Sequence, residues 1–194
     1  MSIAGCILAG GAGARMGGQD KGLVLWRGRP LIESVMERFS PQVDMLVISA
    51  NRHLNQYTHY GHPVLTDVET GFPGPLGGME RALHHIHLTP HEWLAVVPCD
   101  APLLPLHLVS HLHAALKGVH ADVAYARTPD GDQPVFCLLH RVLWSSLQAF
   151  LEGGGRKVQH WFDACSAVPV PFMEDRDAFF NINTPDALLA HSPE

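Results

Sequence analysis

What the sequence lacks excludes several classes of protein. Its 194 residues contain no apolar segment near the about 20 residues that a membrane-spanning helix needs. The short apolar start runs directly into glycines and has no charged region ahead of it, so we expect no targeting segment. Charged residues make up only 16% and apolar residues 46%, which is typical of a globular chain rather than a disordered one. We therefore expect a soluble, cytoplasmic protein that does not contact a membrane.

Cysteine and basic residues are also scarce. The four cysteines show no C-x-x-C spacing, which favours buried free thiols. The net charge of −6 argues against general nucleic-acid binding, which relies on clustered Lys and Arg, but it allows a local cationic pocket for a phosphorylated ligand. Histidine is the exception, with 14 residues that include pairs at helical spacing, His84 with His87 and His107 with His111. Neither pair has a nearby Cys or paired acid, so solvated helix faces are favoured over a zinc site.

Strand-like and helix-like patterns alternate along the chain. Strands are predicted at 3–8, 43–49, 63–66, 93–97, 121–126, 134–139, 168–170 and 179–182, with a turn-rich connector at 128–133. Helices are predicted at 31–39, 76–86, 106–116, 141–151 and 156–163, and a last one opens at Thr184-Pro185. This alternation predicts a single-domain, three-layer α/β/α fold with a mostly parallel, Rossmann-like sheet. Ligands of such sheets bind at the carboxyl ends of the strands.

The most distinctive stretch is "LAGGAGARMGGQDKGL" at 8–23, directly after the first predicted strand. It is not a P-loop, because the chain contains no Gly-Lys dipeptide. It also departs from the dinucleotide-binding fingerprint, because Met16 stands where the third glycine belongs. Its glycines let backbone N–H groups approach an anion, and Arg15 and Lys21 add two cations. A polyphosphate-binding loop is therefore favoured over a surface turn with incidental charges.

Asp100 follows the predicted strand at 93–97 and precedes a proline-containing turn. Its carboxylate should therefore lie at the carboxyl end of that strand. Mg²⁺ binds proteins through one or two carboxylates together with substrate phosphate oxygens, a role that Asp100 can fill in this place. A turn or helix-cap aspartate is the alternative.

The glycine-rich stretch resembles the signature loop of nucleotidyltransferases, in the branch where Arg-Met-Gly-Gly-x-Asp-Lys replaces a Pro-Lys ending. Within that branch it is most similar to the molybdenum cofactor guanylyltransferase (MobA) family. Further segments match that family in order along almost the whole chain: "SANRH" at 49–53, "LTD" at 65–67, "GPLGGM" at 74–79, "PCDAP" at 98–102, "RKV" at 156–158 and "NINTPDAL" at 181–188.

The resemblance implies guanylyl transfer from GTP to the terminal phosphate of molybdopterin, with release of pyrophosphate and dependence on Mg²⁺. It implies one nucleotidyltransferase domain over 1–194, whose N-terminal part binds GTP and whose C-terminal third faces molybdopterin. Other cofactor-assembly proteins or acceptor enzymes are further candidate partners. Two alternatives stay open: a cytidylyltransferase or other small-phosphate nucleotidyltransferase, and a GTP-binding module that has lost catalysis. The joint presence of Arg15, Lys21 and Asp100 argues against the second.

The resemblance also implies the site, residue by residue. The expected GTP-binding residues are Leu8, Ala9, Gly10, Gly11, Lys21, Asn51, Asp67 and Asp100; the catalytic ones are Arg15, Lys21 and Asp100, of which Asp100 holds the metal. From the residues themselves we expect molybdopterin to bind Arg156 and Lys157, a cationic pair that follows three glycines, together with Asn181 and Asn183, which precede the Thr184 cap; Asn183 is a candidate second metal ligand. For these four, a solvated helix start or helix capping is the alternative. The family usually has Asn where this chain has Ser49, so the contact falls either to the Ser49 hydroxyl or to Asn51. Asp67 is a candidate for guanine recognition, because a carboxylate accepts from guanine N–H donors; a turn is its alternative.

Overall fold

The computed structural model describes residues 2–11, 19–67, 74–173 and 176–182. The described residues form nine strands: β1 (Ile3–Leu8), β2 (Leu25–Trp26), β3 (Arg29–Pro30), β4 (Met45–Ser49), β5 (Val64–Leu65), β6 (Trp93–Pro98), β7 (Val123–Thr128), β8 (Gly131–His140) and β9 (Ala167–Pro171). They also form six α-helices: α1 (Leu31–Phe39), α2 (Leu54–Thr58), α3 (Pro75–His87), α4 (Leu108–Ala115), α5 (Trp144–Glu152) and α6 (Val158–Phe162). None of these helices has the length and apolar character needed to cross a membrane.

Seven of the strands form one sheet in the order β5-β4-β1-β6-β8-β7-β9. Every pair of neighbours is parallel except the two pairs that β8 makes. The central strands β1 and β6 read as continuous apolar runs because helices cover both of their faces. The predicted mostly parallel sheet is confirmed, and the antiparallel β8 is a feature that the alternation of elements did not predict.

A separate apolar cluster lies on each face of the sheet. One contains side chains from α1, α2 and α4, such as Ile32, Tyr57 and Leu112. The other contains side chains from α3, α5 and α6, of which Trp161 is the largest that is fully buried. Two helical layers therefore enclose the sheet, and the predicted three-layer α/β/α architecture is confirmed.

Three of the four cysteines, Cys6, Cys99 and Cys137, are buried free thiols, as predicted, and Cys165 is half-buried. Burial raises the pKa of Cys6 to about 12. That thiol stays protonated near neutral pH and packs as a small apolar side chain.

The parallel strands bring the ends of β1, β4 and β6 to one edge of the sheet, which we call the carboxyl edge. β8 returns to the opposite edge, where His140 pairs with the first residue of β6. α5 therefore starts at that opposite edge and runs back, so the segment 153–157 that follows it lies toward the carboxyl edge. The fold thus brings the N-terminal loop and part of the C-terminal third to the same side of the sheet.

The predicted strand at 179–182 is wrong. Arg176–Phe179 is a 3-10 helix, and residues 180–182 pair with no strand. Instead, the Ile182 amide donates to the Asp100 carbonyl at 2.9 Å. The Ile182 side chain packs in a small apolar cluster with Trp26 and Leu31. The apolar Ile182 side chain is therefore buried in this cluster and not in the sheet.

The predicted connector at 128–133 is shorter than expected: its turn is confined to residues 129 and 130, and the two strands continue through the rest. β7 and β8 pair as far as Thr128 with Gly131, and Gly131 adopts a φ of +124° that suits glycine. The Arg127 Nε and Asp132 Oδ1 atoms lie 2.5 Å apart across the hairpin. A short hairpin turn followed by Gly131, with a cross-strand ion pair, therefore stands in place of the longer loop. The predicted helix from Thr184-Pro185 lies outside the described residues.

Gly78 marks the place where α3 approaches the sheet most closely. A Cβ atom there would lie 2.5 Å from Ser49 Oγ and 2.6 Å from Leu8 Cδ2. Overpacking costs about 1–3 kcal/mol, and the better helix propensity of alanine offsets up to about 1 kcal/mol. We expect Gly78→Ala to lower the free energy of unfolding by about 1–2 kcal/mol in chemical denaturation.

The matched control is Gly11→Ala, since nothing lies within 4 Å of a Cβ atom placed there. It should change the free energy of unfolding of the ligand-free protein by less than about 0.5 kcal/mol. Equal stability of the two variants would show that the α3 contact can relax without cost.

Candidate active site

Lys21 and Asp100 form an ion pair at the carboxyl edge. Lys21 Nζ lies 3.0 Å from Asp100 Oδ2, and Asp100 is only 6% exposed. The other carboxylate oxygen, Oδ1, is buried without a hydrogen-bond partner among the described residues. An unsatisfied buried oxygen is costly, so this atom is an open ligand position. Carboxylate oxygen is the ligand type that Mg²⁺ prefers.

Two neighbouring segments hold Asp100 in place. The preceding amide, that of Cys99, donates to the Leu8 carbonyl at 3.1 Å and ties the end of β6 to the end of β1. The Asp100 carbonyl accepts a hydrogen bond from the Ile182 amide. Asn181, the residue before Ile182, therefore lies close to Asp100. The described residues contain no group of three His, Cys, Asp or Glu side chains that could hold a metal.

The glycine loop begins beside the end of β4. The Ala9 amide donates to the Ser49 carbonyl at 2.7 Å, so this amide is already used within the protein. A Cβ atom on Gly10 would lie 2.9 Å from Asn51 Nδ2, so only glycine lets the chain cross Asn51 this closely. Arg52 Nη2 donates to the Gly11 carbonyl at 3.0 Å. Arg52 was not predicted as a site residue, although it lies within the "SANRH" segment.

Asn51 and Asp67 form a reciprocal pair at the ends of β4 and β5. Asn51 Nδ2 donates to Asp67 Oδ2 at 2.8 Å, and the Asp67 amide donates to Asn51 Oδ1 at 2.9 Å. Asp67 Oδ1 is buried without a hydrogen-bond partner among the residues described. Burial raises the pKa of Asp67, and the bond from Asn51 opposes that rise. The result is an oriented carboxylate with one oxygen open to a ligand.

Ser49 and Asn51 differ in their surroundings. Ser49 is 2% exposed and faces Gly78 of α3, while Asn51 is partly exposed and bonded to Asp67. Of the two residues, Asn51 is the one whose side chain lies with the open Asp67 carboxylate.

Two of the residues predicted to bind molybdopterin, Arg156 and Lys157, lie between α5 and α6. Arg156 Nη1 donates to the Leu151 and Gly155 carbonyls at 2.9 and 2.7 Å, where it caps the C-terminal end of α5. Lys157 is exposed and precedes α6. The Arg156 contacts agree with the helix-end alternative, although the segment lies toward the carboxyl edge. Arg15 and Asn183 lie outside the described residues.

His87, His107 and His111 are exposed and His84 is half-buried, in agreement with the predicted solvated helix faces, and all four rings also contact an aromatic ring. The rings of His84 and His87 lie 4.9 and 5.2 Å from the ring of Trp144 on α5. The rings of His107 and His111 both contact the ring of Phe172. The first pair therefore packs α3 against α5, and the second packs the start of α4 against the segment that follows β9.

Two further residues near Lys21 were not identified from the sequence. Tyr57 Oη donates to Asp20 Oδ1 at 2.5 Å, and both residues are buried. Asp20 belongs to the signature loop, but Tyr57 is the one buried residue of the five-residue helix α2. Such a short helix has too little periodicity to be recognised, so only the folded structure brings Tyr57 to the loop.

The described geometry agrees with three comparisons with known proteins. The family model described as the MobA-like NTP transferase domain matches residues 5–168 of this chain. A molybdenum cofactor guanylyltransferase from Shewanella sp. (strain MR-4) is 45% identical over 96% of this chain and 93% of its own length. Another from Shewanella halifaxensis is 44% identical over 93% of this chain and 88% of its own length.

Solved structures share the fold. Molybdopterin-guanine dinucleotide biosynthesis protein A from Archaeoglobus fulgidus superposes with a TM-score of 0.81 at 25% identity, covering 96% of this chain and 95% of that one. A 4-diphosphocytidyl-2C-methyl-D-erythritol synthase from Anaerococcus prevotii superposes with a TM-score of 0.74 at 13% identity, covering 97% and 95%, which shows the fold alone. The chain belongs to the family of MobA-like NTP transferases.

Proposed function

We propose that this protein transfers GMP from GTP to the terminal phosphate of molybdopterin and releases pyrophosphate. One observation carries the proposal: two aspartates, Asp67 and Asp100, lie at strand ends on one edge of the sheet, and each keeps a buried oxygen open. One open carboxylate suits a base with N–H donors, and the other suits a metal ion on phosphates. The 45% identity to a molybdenum cofactor guanylyltransferase supports the same reaction.

The triphosphate would lie over the glycine loop beside Lys21. Backbone groups of the segment 8–11 approach it closely because glycines 10 and 11 carry no side chain. The Lys21 ammonium, held 3.0 Å from Asp100 Oδ2, is a fixed cation for the phosphates. Arg15 would add a second cation from the same loop.

Guanine would meet the open oxygen of Asp67. Its ring N–H and exocyclic amine are both donors on one edge, and an ionised carboxylate is an acceptor only. Asn51 fixes the carboxylate by donating to its other oxygen. Adenine and cytosine do not present this pair of donors, so the arrangement favours GTP.

The residues present fit a magnesium ion. Asp100 offers a buried open oxygen, and the remaining ligands would be phosphate oxygens and water, with Asn183 as a candidate second protein ligand. When bound, Mg²⁺ neutralises charge on the phosphates. Lys21 and Asp100 hold their positions at the edge through their own ion pair.

The acceptor would approach from the C-terminal third, where Arg156, Lys157 and Asn181 lie. Its terminal phosphate oxygen forms a bond to the α-phosphorus of GTP as the bond to the β-phosphate oxygen breaks, and pyrophosphate leaves. Such a displacement needs no covalent enzyme intermediate, so the protein acts by positioning and charge neutralisation. Cofactor-assembly proteins or acceptor enzymes are further candidate partners for delivery and release.

A thermal-unfolding panel with GTP, CTP, ATP and UTP tests the nucleotide. At 100 times its Kd with Mg²⁺, GTP should raise Tm by about 5–10 °C, because ligand binding adds about 2.7 kcal/mol to a protein of this size. The other three nucleotides should raise Tm much less, and a chelator should reduce the effect of GTP. Pyrophosphate release with molybdopterin then tests the reaction. Stabilisation by CTP and not by GTP would contradict the guanylyl assignment.

A further inference from the structure

Tyr57 and Asp20 make a buried contact that the proposed reaction does not use. Tyr57 lies on α2 and is fully buried, and Asp20 is 7% exposed. Tyr57 Oη donates to Asp20 Oδ1 at 2.5 Å. The same oxygen accepts the Gly22 amide at 3.2 Å, which caps the 3-10 helix Lys21–Leu23. One carboxylate oxygen therefore joins α2 to the backbone on both sides of Lys21.

Gly22 shows how closely this backbone is held. A Cβ atom there would lie 2.6 Å from Tyr57 Oη and 3.5 Å from Cys99 Cβ. The 3-10 helix is thus pressed between the tyrosine hydroxyl and the segment that carries Asp100. These contacts restrain the backbone at Lys21, whose ammonium lies 3.0 Å from Asp100 Oδ2.

The chemistry of the pair suits a permanent link. Burial raises the pKa of Tyr57 well above its usual range, and the neighbouring Asp20 adds to the rise. The hydroxyl is therefore a donor at any working pH. A hydrogen bond to a charged group is stronger than one between neutral groups, and loss of the donor would remove one of the two hydrogen bonds that this Asp20 oxygen accepts from described residues.

We propose that Tyr57 and Asp20 are positioning residues that hold Lys21 against Asp100 and so set the place of the nucleotide phosphates. This inference rests on the proposed role of Lys21 in binding those phosphates. It adds a layer behind the signature loop: the aspartate before the lysine fixes the lysine together with a tyrosine from another helix.

A double-mutant cycle tests the link with Tyr57→Phe, Lys21→Ala and the two combined. Tyr57→Phe keeps the ring and removes only the donor, so kcat/KM for GTP should fall about tenfold. In the Lys21→Ala background the same change should cost less than about twofold, because the group that Tyr57 positions is gone. A purely structural role would lower kcat/KM by the same factor in both backgrounds, and that result would overturn the inference.

Tyr60→Phe is the matched control. Tyr60 lies three residues further on, and its hydroxyl bonds to Glu33 at 3.3 Å, away from Lys21. Its kcat/KM should equal that of the unmodified protein. Asp20→Asn keeps an acceptor oxygen and should retain more activity than Asp20→Ala. Equal losses in the two Asp20 variants would contradict the hydrogen-bond account.

A crystal structure of Tyr57→Phe needs no substrate and separates this inference from the reaction. The Lys21 Nζ to Asp100 Oδ2 distance should exceed about 4 Å, the limit for an ion pair. An unchanged distance would overturn the positioning role even in an active enzyme. If the unmodified protein failed to turn over GTP with molybdopterin, the proposed reaction would be wrong and this measurement would still stand. Should Tyr57→Phe fail to fold, Asp20→Ala, which removes the acceptor oxygen, serves in the same cycle and the same structure.

Discussion

Asp100→Asn is expected to lower kcat at least about 100-fold, the effect typical of losing a preorganised charge-stabilising group. The substitution keeps the shape of the side chain but removes its charge, and the Lys21 ammonium at 3.0 Å loses its counter-ion. It also turns one open, buried oxygen position into an amide, which binds Mg²⁺ more weakly than a carboxylate does. Steady-state pyrophosphate release at saturating GTP and Mg²⁺ measures the effect.

The matched control is Asp163→Asn, an exposed aspartate at the end of α6. It should leave kcat within about twofold of the unmodified protein, since surface substitutions rarely have larger effects. The thermal unfolding of Asp100→Asn should show a folded protein, because its Lys21 partner is partly exposed and can be hydrated. A kcat for Asp100→Asn within about threefold of normal would show that Asp100 is no metal ligand, since such ligands contribute far more.

The ends of the central strands could be predicted from the sequence for a simple reason. β1 and β6 are buried on both faces, so each reads as a short continuous apolar run that stops at a glycine or a proline. Strand ends in a parallel sheet meet at one edge, which places Lys21, Asp67 and Asp100 on the same side. The antiparallel direction of β8 was not predictable in this way, because an apolar run does not indicate whether a strand is parallel or antiparallel to its neighbours.

The contacts within the site depend on the tertiary structure. The pairing of Asn51 with Asp67 joins residues 16 positions apart, and that of Tyr57 with Asp20 joins residues 37 positions apart. Neither pair has a spacing that any local pattern requires. The strand predicted at 179–182 failed for a related reason: Phe179 and Ile182 are both buried, but they pack in two different clusters and not as members of the sheet.

Asp67→Asn is expected to lower kcat/KM for GTP about 100-fold, which corresponds to loss of a pair of charge-assisted hydrogen bonds. The new amide keeps one acceptor oxygen, and Asn51 Nδ2 already donates at that position in the unmodified protein. The amide nitrogen would then face the guanine edge, donor against donor. ATP, which does not present this donor pair, is the internal control, and its low kcat/KM should change by less than about threefold.

The affinity for GTP, measured as the pH is lowered, gives a second test of the same variant. Burial raises the pKa of Asp67, so the carboxyl becomes protonated at a higher pH than an exposed aspartate would. A protonated carboxyl cannot accept from both guanine donors, and the affinity for GTP should therefore fall as the pH drops through that raised pKa. The same measurement with ATP gives the pH dependence that comes from the phosphates, which both nucleotides share, and this contribution is subtracted. In Asp67→Asn the difference between GTP and ATP should no longer depend on pH. If the variant kept both its preference for GTP and that pH dependence, guanine would be recognised by other groups, and Asp67 would be a structural partner of Asn51.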